Sequence, residues 1–287
     1  MREAFSDEKI IGLLLASLIV LAACGGGGND KKVTIGVASN DTAAWEKVKE
    51  LAKKDGIDVE IKHFSDYNVP NKALSDGDID MNAFQHFAFL NEYKKAHKDS
   101  KIEAISTTVL APLGVYSKKV KDIKDVKDGA EVTIPNDVSN QARALKLLES
   151  AGLLKLKDNF GLSGTTKDIK DNPKHLKIKA VDAQQTARAL DDVDISVINN
   201  GVATKAGLDA KKDPIYLEKS SSDAVKPYIN IVAVNSKDKD NKTIKKIVDL
   251  YHGKEAQEAL KKDTKDGEKA VDLSQKEIKE IEDSLTK

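Results

Sequence analysis

Residues 32–64 read KVTIGVASNDTAAWEKVKELAKKDGIDVEIKHF, and this stretch decides the fold class. Lys32 to Ala38 is an apolar, β-branched run of strand length, and Thr42 to Lys54 carries apolar residues at helical spacing behind an Asn40-Asp41 cap. Asp58 to Phe64 then alternates like a second strand. A strand, helix and strand of these lengths imply a parallel pair joined by a right-handed crossover, the opening of an α/β lobe. Trp45, the lone tryptophan, falls inside that helix, where packing is its expected role.

The pattern continues with helices over Asn71 to Ser75 and Asn82 to Lys95 around a short strand at Asp78 to Met81, and extended segments within Ile102 to Tyr116. A second α/β series follows: strand Glu131 to Ile134, helix Ser139 to Ala151, strand Lys177 to Ala180, helix Gln184 to Leu190 and strand Ile195 to Ile198. Pro227 to Val234 reads as one more strand, before lysine-rich amphipathic helices that reach the C-terminus. The expected architecture is α/β, with two lobes and a cleft between them where the chain crosses near 112–116 and 227–231. Lobe 1 is assigned to 32–114 and 229–287, and lobe 2 to 115–228. Ligands favour such interlobe clefts.

Composition narrows the function. The 287 residues carry 47 basic and 47 acidic side chains, so no net field favours nucleic acid, and none is expected as a partner. The N-terminus points to a compartment: residues 10–23, IIGLLLASLIVLAA, form an apolar run of signal-peptide length that ends in small residues. Cys24, the only cysteine, follows at once, and then the flexible glycines Gly25 to Gly28. Leu21-Ala22-Ala23-Cys24 resembles a bacterial lipobox. That resemblance implies a signal peptide over 1–23, a diacylglyceryl anchor on Cys24 at the outer face of the membrane, and a tether over 24–31. The leading residues MREAFSDEK are less basic than such leaders usually are. The body lacks cysteine, so disulfides and thiolate metal sites are not available to it.

Enzyme motifs are missing. The sequence contains no HExxH, CxxC or GxSxG, and its nearest approach to a phosphate loop, Gly161 to Lys167, has the wrong spacing. His63, His86, His97, His175 and His252 are scattered without ligand spacing, so neither a metal nor another cofactor is expected. Two features do stand out. Phe64 to Tyr67 and Phe84 to Phe89 gather scarce aromatic side chains into two short stretches of lobe 1, with Tyr67, Phe84, His86 and Phe89 the candidates for a pocket and Phe64 and Phe87 assigned to the core. Pro135 to Arg143 spans a strand end and a helix start, where free N–H groups and the helix dipole favour an anion. Only Arg2, Arg143 and Arg188 are arginine, so Arg143 is read as a fork for a carboxylate, with Asn140 beside it. Arg188 is read as structural, paired with Asp191 and Asp192. Asn199, which follows the apolar strand Ile195 to Ile198, and Asn230, which interrupts the apolar run Pro227 to Val234, offer both donor and acceptor to a zwitterion.

The blocks Phe64-Ser-Asp-Tyr67-Asn-Val-Pro70-Asn71, Gly77-Asp-Ile-Asp80-Met-Asn-Ala-Phe84-Gln-His86, Pro135-Asn-Asp-Val-Ser-Asn140, Arg143-Ala-Leu and Leu190 to Asn199 resemble, in order and spacing, the MetQ/NlpA lipoproteins. The resemblance runs from about residue 33 to at least 234. It implies a type II periplasmic-binding-protein fold that closes on methionine, usually the L form, with D-methionine or a methionyl dipeptide preferred by some members. It further implies hand-over to an ABC permease driven by a separate ATPase, with the receptor itself a monomer that makes and breaks no bond. Carried over, Arg143 binds the ligand carboxylate and Asn199 and Asn230 the head group, while Tyr67, Phe84, His86 and Phe89 surround the thioether, where sulfur meets aromatic edges. Ala88 and Phe89 depart from the family, which often has proline and tyrosine there. Two other classes stay open at this stage: a surface enzyme using His86, and an adhesin without a small-molecule pocket.

Overall fold

The computed structural model describes residues 31–38, 42–219 and 223–286. The expected leader over 1–23, the expected lipidation site Cys24, the tether as far as residue 30 and the Asn40-Asp41 cap lie outside the described residues. Lys31 already opens the first strand, β1 (Lys31–Val37).

From β1 the chain runs through α1 (Ala43–Lys54), β2 (Ile57–His63), α2 (Pro70–Asp76), β3 (Met81–Asn82), α3 (Phe87–Ala96) and β4 (Ile102–Leu110). It then enters β5 (Gly114–Tyr116), β6 (Glu131–Pro135), α4 (Val138–Ser150), the small hairpin β7 (Lys155–Leu156) and β8 (Ile169–Asp171), β9 (Lys177–Val181) and β10 (Ile195–Ile198). After α5 (Asn200–Lys205) and β11 (Tyr216–Leu217) it returns through β12 (Ile229–Asn235) to α6 (Lys242–His252), α7 (Lys254–Asp263), β13 (Lys269–Ala270) and α8 (Gln275–Leu285).

These strands form two principal sheets, one ordered β13-β4-β12-β3-β1-β2 and the other β11-β5-β10-β6-β9. Parallel pairs occur in each, β1 with β3 inside the first, and β10 with β6 and β6 with the edge strand β9 in the second. The chain leaves the first sheet after Leu110 and comes back at Ile229, and these two residues are register partners in the β4–β12 ladder. Gly114 starts the second sheet at once, and Tyr116 lies so close over it that a β-carbon there would stand 2.6 Å from the ring.

Each sheet has its own apolar core. In the first, Val33, Ile35, Val48 and Val232 pack under α1 and α6, and Trp45 stacks on Tyr251 with ring centroids 4.4 Å apart, the packing role expected of it. In the second, Val132, Ile134, Leu145, Leu148 and Val197 meet between α4 and the strands. The ends of α4 follow from its sequence. Asp137 caps the first turn by accepting from the Asn140 N–H at 3.0 Å. At the other end Gly152 takes φ 76°, with Leu153 N–H donating to Leu148 O and Gly152 N–H to Glu149 O, a left-handed cap that brings buried Leu148 and Leu153 together. Because Leu148 is fully buried, Leu148→Ala is expected to lower stability by about 2 to 5 kcal/mol, seen as a fall in the urea midpoint.

Three expectations are corrected. The helix expected from Asn82 begins only at Phe87, because Asn82 and Gln85 are committed to a buried side-chain network and His86 serves as the N-cap. The helix expected over Gln184 to Leu190 is two short 3-10 turns, Ala183–Gln185 and Arg188–Asp191. In that geometry Arg188 forms no ion pair within 4 Å among the described residues, and Lys118 takes Asp191 instead.

Candidate functional site

A single cavity between the two sheets brings together the side chains singled out from the sequence. Tyr67, Phe84, His86, Phe89 and Asn230 line it from the first sheet's side. Asn140, Arg143 and Asn199 line it from the second, and the enclosed space among them is narrow, about 40 Å³.

The aromatic wall is one cluster. Phe84 and Phe89 meet edge to face at 5.6 Å between centroids, Tyr67 lies 6.0 Å from Phe84 and 6.2 Å from Phe89, and His86 stands edge-on to Phe89 at 6.3 Å. What holds this wall is a network that sequence reasoning missed. Asn71, Asn82 and Gln85 are buried and bonded to one another, Asn71 Nδ2 donating to Gln85 Oε1 at 2.8 Å, and Gln85 Nε2 donating to Asn71 Oδ1 at 2.6 Å and Asn82 Oδ1 at 3.0 Å. Three amides that satisfy one another fix the backbone on which Phe84 and His86 ride, without any buried charge.

His86 is set by its own helix. The Phe89 N–H donates to Nδ1 at 3.1 Å, which leaves the ring proton on Nε2, and that nitrogen faces Asn140 Oδ1 across the cavity at 3.3 Å. Burial, and then the charge of Arg143, push the His86 pKa down to about 3, so the ring is neutral. Asn140 is the junction of the two walls. Its Oδ1 accepts from His86 and, at 2.8 Å, from Asn199 Nδ2, while its own Nδ2 donates to Asp137 at 3.0 Å. The anion that the start of α4 favours is thus the protein's own Asp137, whose carboxyl is pushed up by burial against the bonds from Asn140 and Ser139.

Arg143 departs from the simple fork. It is 4% exposed, and Nε and Nη2 already grip Glu218 at 2.9 and 2.5 Å, with Nη2 also donating to the Ala111 carbonyl at 2.9 Å. The partner is a largely buried carboxylate, its side chain 12% exposed, from the loop after β11, where a charged residue in lysine-rich surroundings gives no sequence signal. Among the described residues the Nη1 amine bonds to no protein atom. Burial opposes the arginine's charge but the attraction of Glu218 outweighs it, so the group is held cationic. The guanidinium carbon lies 4.4 Å from the Tyr228 ring, which also meets His86 edge-on at 5.3 Å, a second residue the sequence did not reveal.

A separate groove places Ser106 Oγ 3.1 Å from His252 Nε2, with Asp272 Oδ1 3.8 Å from the same nitrogen. Both partners meet one ring nitrogen, so the imidazole cannot take a proton on one side while a carboxylate orients the other.

A family model described as NlpA lipoprotein matches residues 33–272. Among solved structures, protein PG110 from Staphylococcus aureus is 81% identical with a TM-score of 0.87, covering 88% of this chain and 99% of that one. A nutrient binding protein from Burkholderia cenocepacia bound to methionine is 43% identical with a TM-score of 0.79, covering 83% and 99%. The D-methionine-binding lipoprotein MetQ of Escherichia coli strain K12 is 40% identical over 262 residues, 90% of this chain and 95% of its own.

Proposed function

Since the chain belongs to the NlpA lipoprotein family, we propose that it is an extracytoplasmic receptor, anchored through a lipid on Cys24, that captures methionine and delivers it to an ABC permease with its ATPase. The observation that carries this reading is the cavity, where an aromatic wall faces a buried arginine and two asparagines. A thioether side chain fits among Tyr67, Phe84 and Phe89, where sulfur at the ring edges adds roughly 0.3 to 1.5 kcal/mol. The head group fits against Arg143 Nη1, Asn199 and Asn230. Asn140 serves less as a ligand contact than as the brace that orients His86 and Asn199, since both are already bonded to its carbonyl.

Closure follows from the same geometry. Ligand contacts from both walls favour the state in which His86 meets Asn140, and that state presents one face to the permease. The reading against an enzyme rests on His86: an imidazole with a pKa of about 3 is a poor base at neutral pH. The family-level relatives named for binding methionine agree with it.

The test is calorimetric titration of refolded, ligand-stripped protein with L-methionine, D-methionine and a methionyl dipeptide. L-methionine is expected to bind one to one, and at a hundredfold excess over Kd to stabilise the fold by about 2.7 kcal/mol. Binding of another member of the set in its place keeps the receptor and changes the cargo. Silence toward all of them from folded protein removes the methionine reading.

A further inference from the structure

The acceptor side of the cavity has a chemistry that the arginine does not explain. Asn199 Oδ1 is buried and, among the described residues, has no hydrogen-bond partner, while Asn199 Nδ2 is already donated to Asn140. Glu268 lines the same cavity and its two carboxylate oxygens are shielded from solvent. We propose that Glu268, together with Asn199 Oδ1, forms the seat for the ligand's primary ammonium. The proposal rests on the methionine reading and assigns its head group.

The polar groups of the cavity support this seat. Glu218 already occupies the Nε and Nη2 edge of Arg143, so only the Nη1 amine remains to meet a ligand carboxylate, and the ammonium needs an acceptor elsewhere in the cavity. Among the described residues that line the cavity, Arg143 is the cation and Glu268 the carboxylate, with no lysine beside them. Glu268 has an interaction of its own within the protein, and a carboxylate with roughly four lone-pair sites can keep that contact and accept an ammonium as well.

The backbone aims Glu268 deliberately. Past the end of α7, Lys265 and Asp266 both adopt left-handed φ angles, 51° and 59°, which side chains larger than glycine rarely take. Gly267 N–H then donates to Thr264 O at 2.7 Å, and the Gly267 carbonyl accepts from Asn200 Nδ2 at 3.4 Å, a bond from the opposite wall. Directly after Glu268, β13 pairs Lys269 with Leu110, where the chain leaves the first sheet. Strain kept in a loop that delivers one buried carboxylate to a cavity is a sign of a positioned contact.

The experiment uses the full chain, ligand-stripped by unfolding and refolding, with Glu268→Gln and Glu268→Asp. Each protein is titrated with L-methionine, with desaminomethionine, which lacks the amine, and with decarboxymethionine, which lacks the carboxylate. Glu268→Gln is expected to weaken L-methionine and decarboxymethionine at least about tenfold and to leave desaminomethionine within about twofold, as loss of one partner of a buried charge pair requires. Glu268→Asp, which keeps the charge, is expected to recover part of the loss. Equal losses on all three ligands would make Glu268 a structural wall, and unchanged binding of L-methionine would remove it from the site; either overturns the proposal. A wild-type protein that binds none of the three overturns the methionine reading itself, a failure seen before any variant is compared.

Discussion

Arg143→Ala is expected to weaken ligand binding by about 2 to 5 kcal/mol, the usual effect of truncating one member of a buried charge pair. Here the loss has two sources that can be separated. The variant removes the Nη1 donors from the cavity, and it also strands Glu218, whose carboxylate loses both bonds from the guanidinium and keeps the Leu113 N–H at 3.2 Å. Stranding a buried charge lowers stability by about 3 to 5 kcal/mol, so the melting temperature of Arg143→Ala should fall together with its affinity. Arg143→Met combined with Glu218→Leu replaces the pair by apolar side chains, and is expected to restore stability without restoring binding. Calorimetry and thermal melts on the three proteins check both halves. Affinity equal to wild type in Arg143→Ala would take the arginine out of the ligand's contacts.

The second large effect is on pH. His86 is held neutral with a pKa near 3, whereas an unfolded histidine titrates near 6.5. Below pH 6.5 the unfolded chain therefore takes up a proton that the folded chain refuses until about pH 3, and stability declines as pH falls through that window. The slope is about 1.4 kcal/mol per pH unit, so the full window amounts to roughly 4 to 5 kcal/mol. His86→Gln, which has no titrating group, is expected to lose this slope, and urea midpoints of wild type and variant between pH 4 and 7 measure the difference. Ligand affinity near neutral pH should not change through His86, because the ring is neutral on both sides of that range.

Much of the site was legible from the chain because its residues are rare in their surroundings. Aromatic side chains are scarce and arginine scarcer, so Tyr67, Phe84, His86, Phe89 and Arg143 stood out, and the structure gathers them around one cavity. Strand Ile195–Ile198 was equally plain, as an unbroken apolar run. Glu218 and Glu268 were hidden for the opposite reason: both sit in loops among lysines and aspartates, where one more acid looks like solvated surface. The amides Asn71, Asn82 and Gln85 were invisible in their joint role, since only the fold brings α2 beside the stretch after β3. The late start of α3 follows from them, because amides satisfied by each other withdraw that backbone from the helix that its spacing suggested.

The pairing of Leu110 with Ile229 bears on motion. Both passages of the chain between the sheets begin from one point of one ladder, like a door hung on two hinges set along a single line. Such a mounting resists twist and sliding and leaves one soft angle, so the aperture is set by a single coordinate. A pair of fluorescent labels placed across the mouth would then report capture as one distance with two values, and the same pair could serve as a reagentless gauge of whatever the receptor carries.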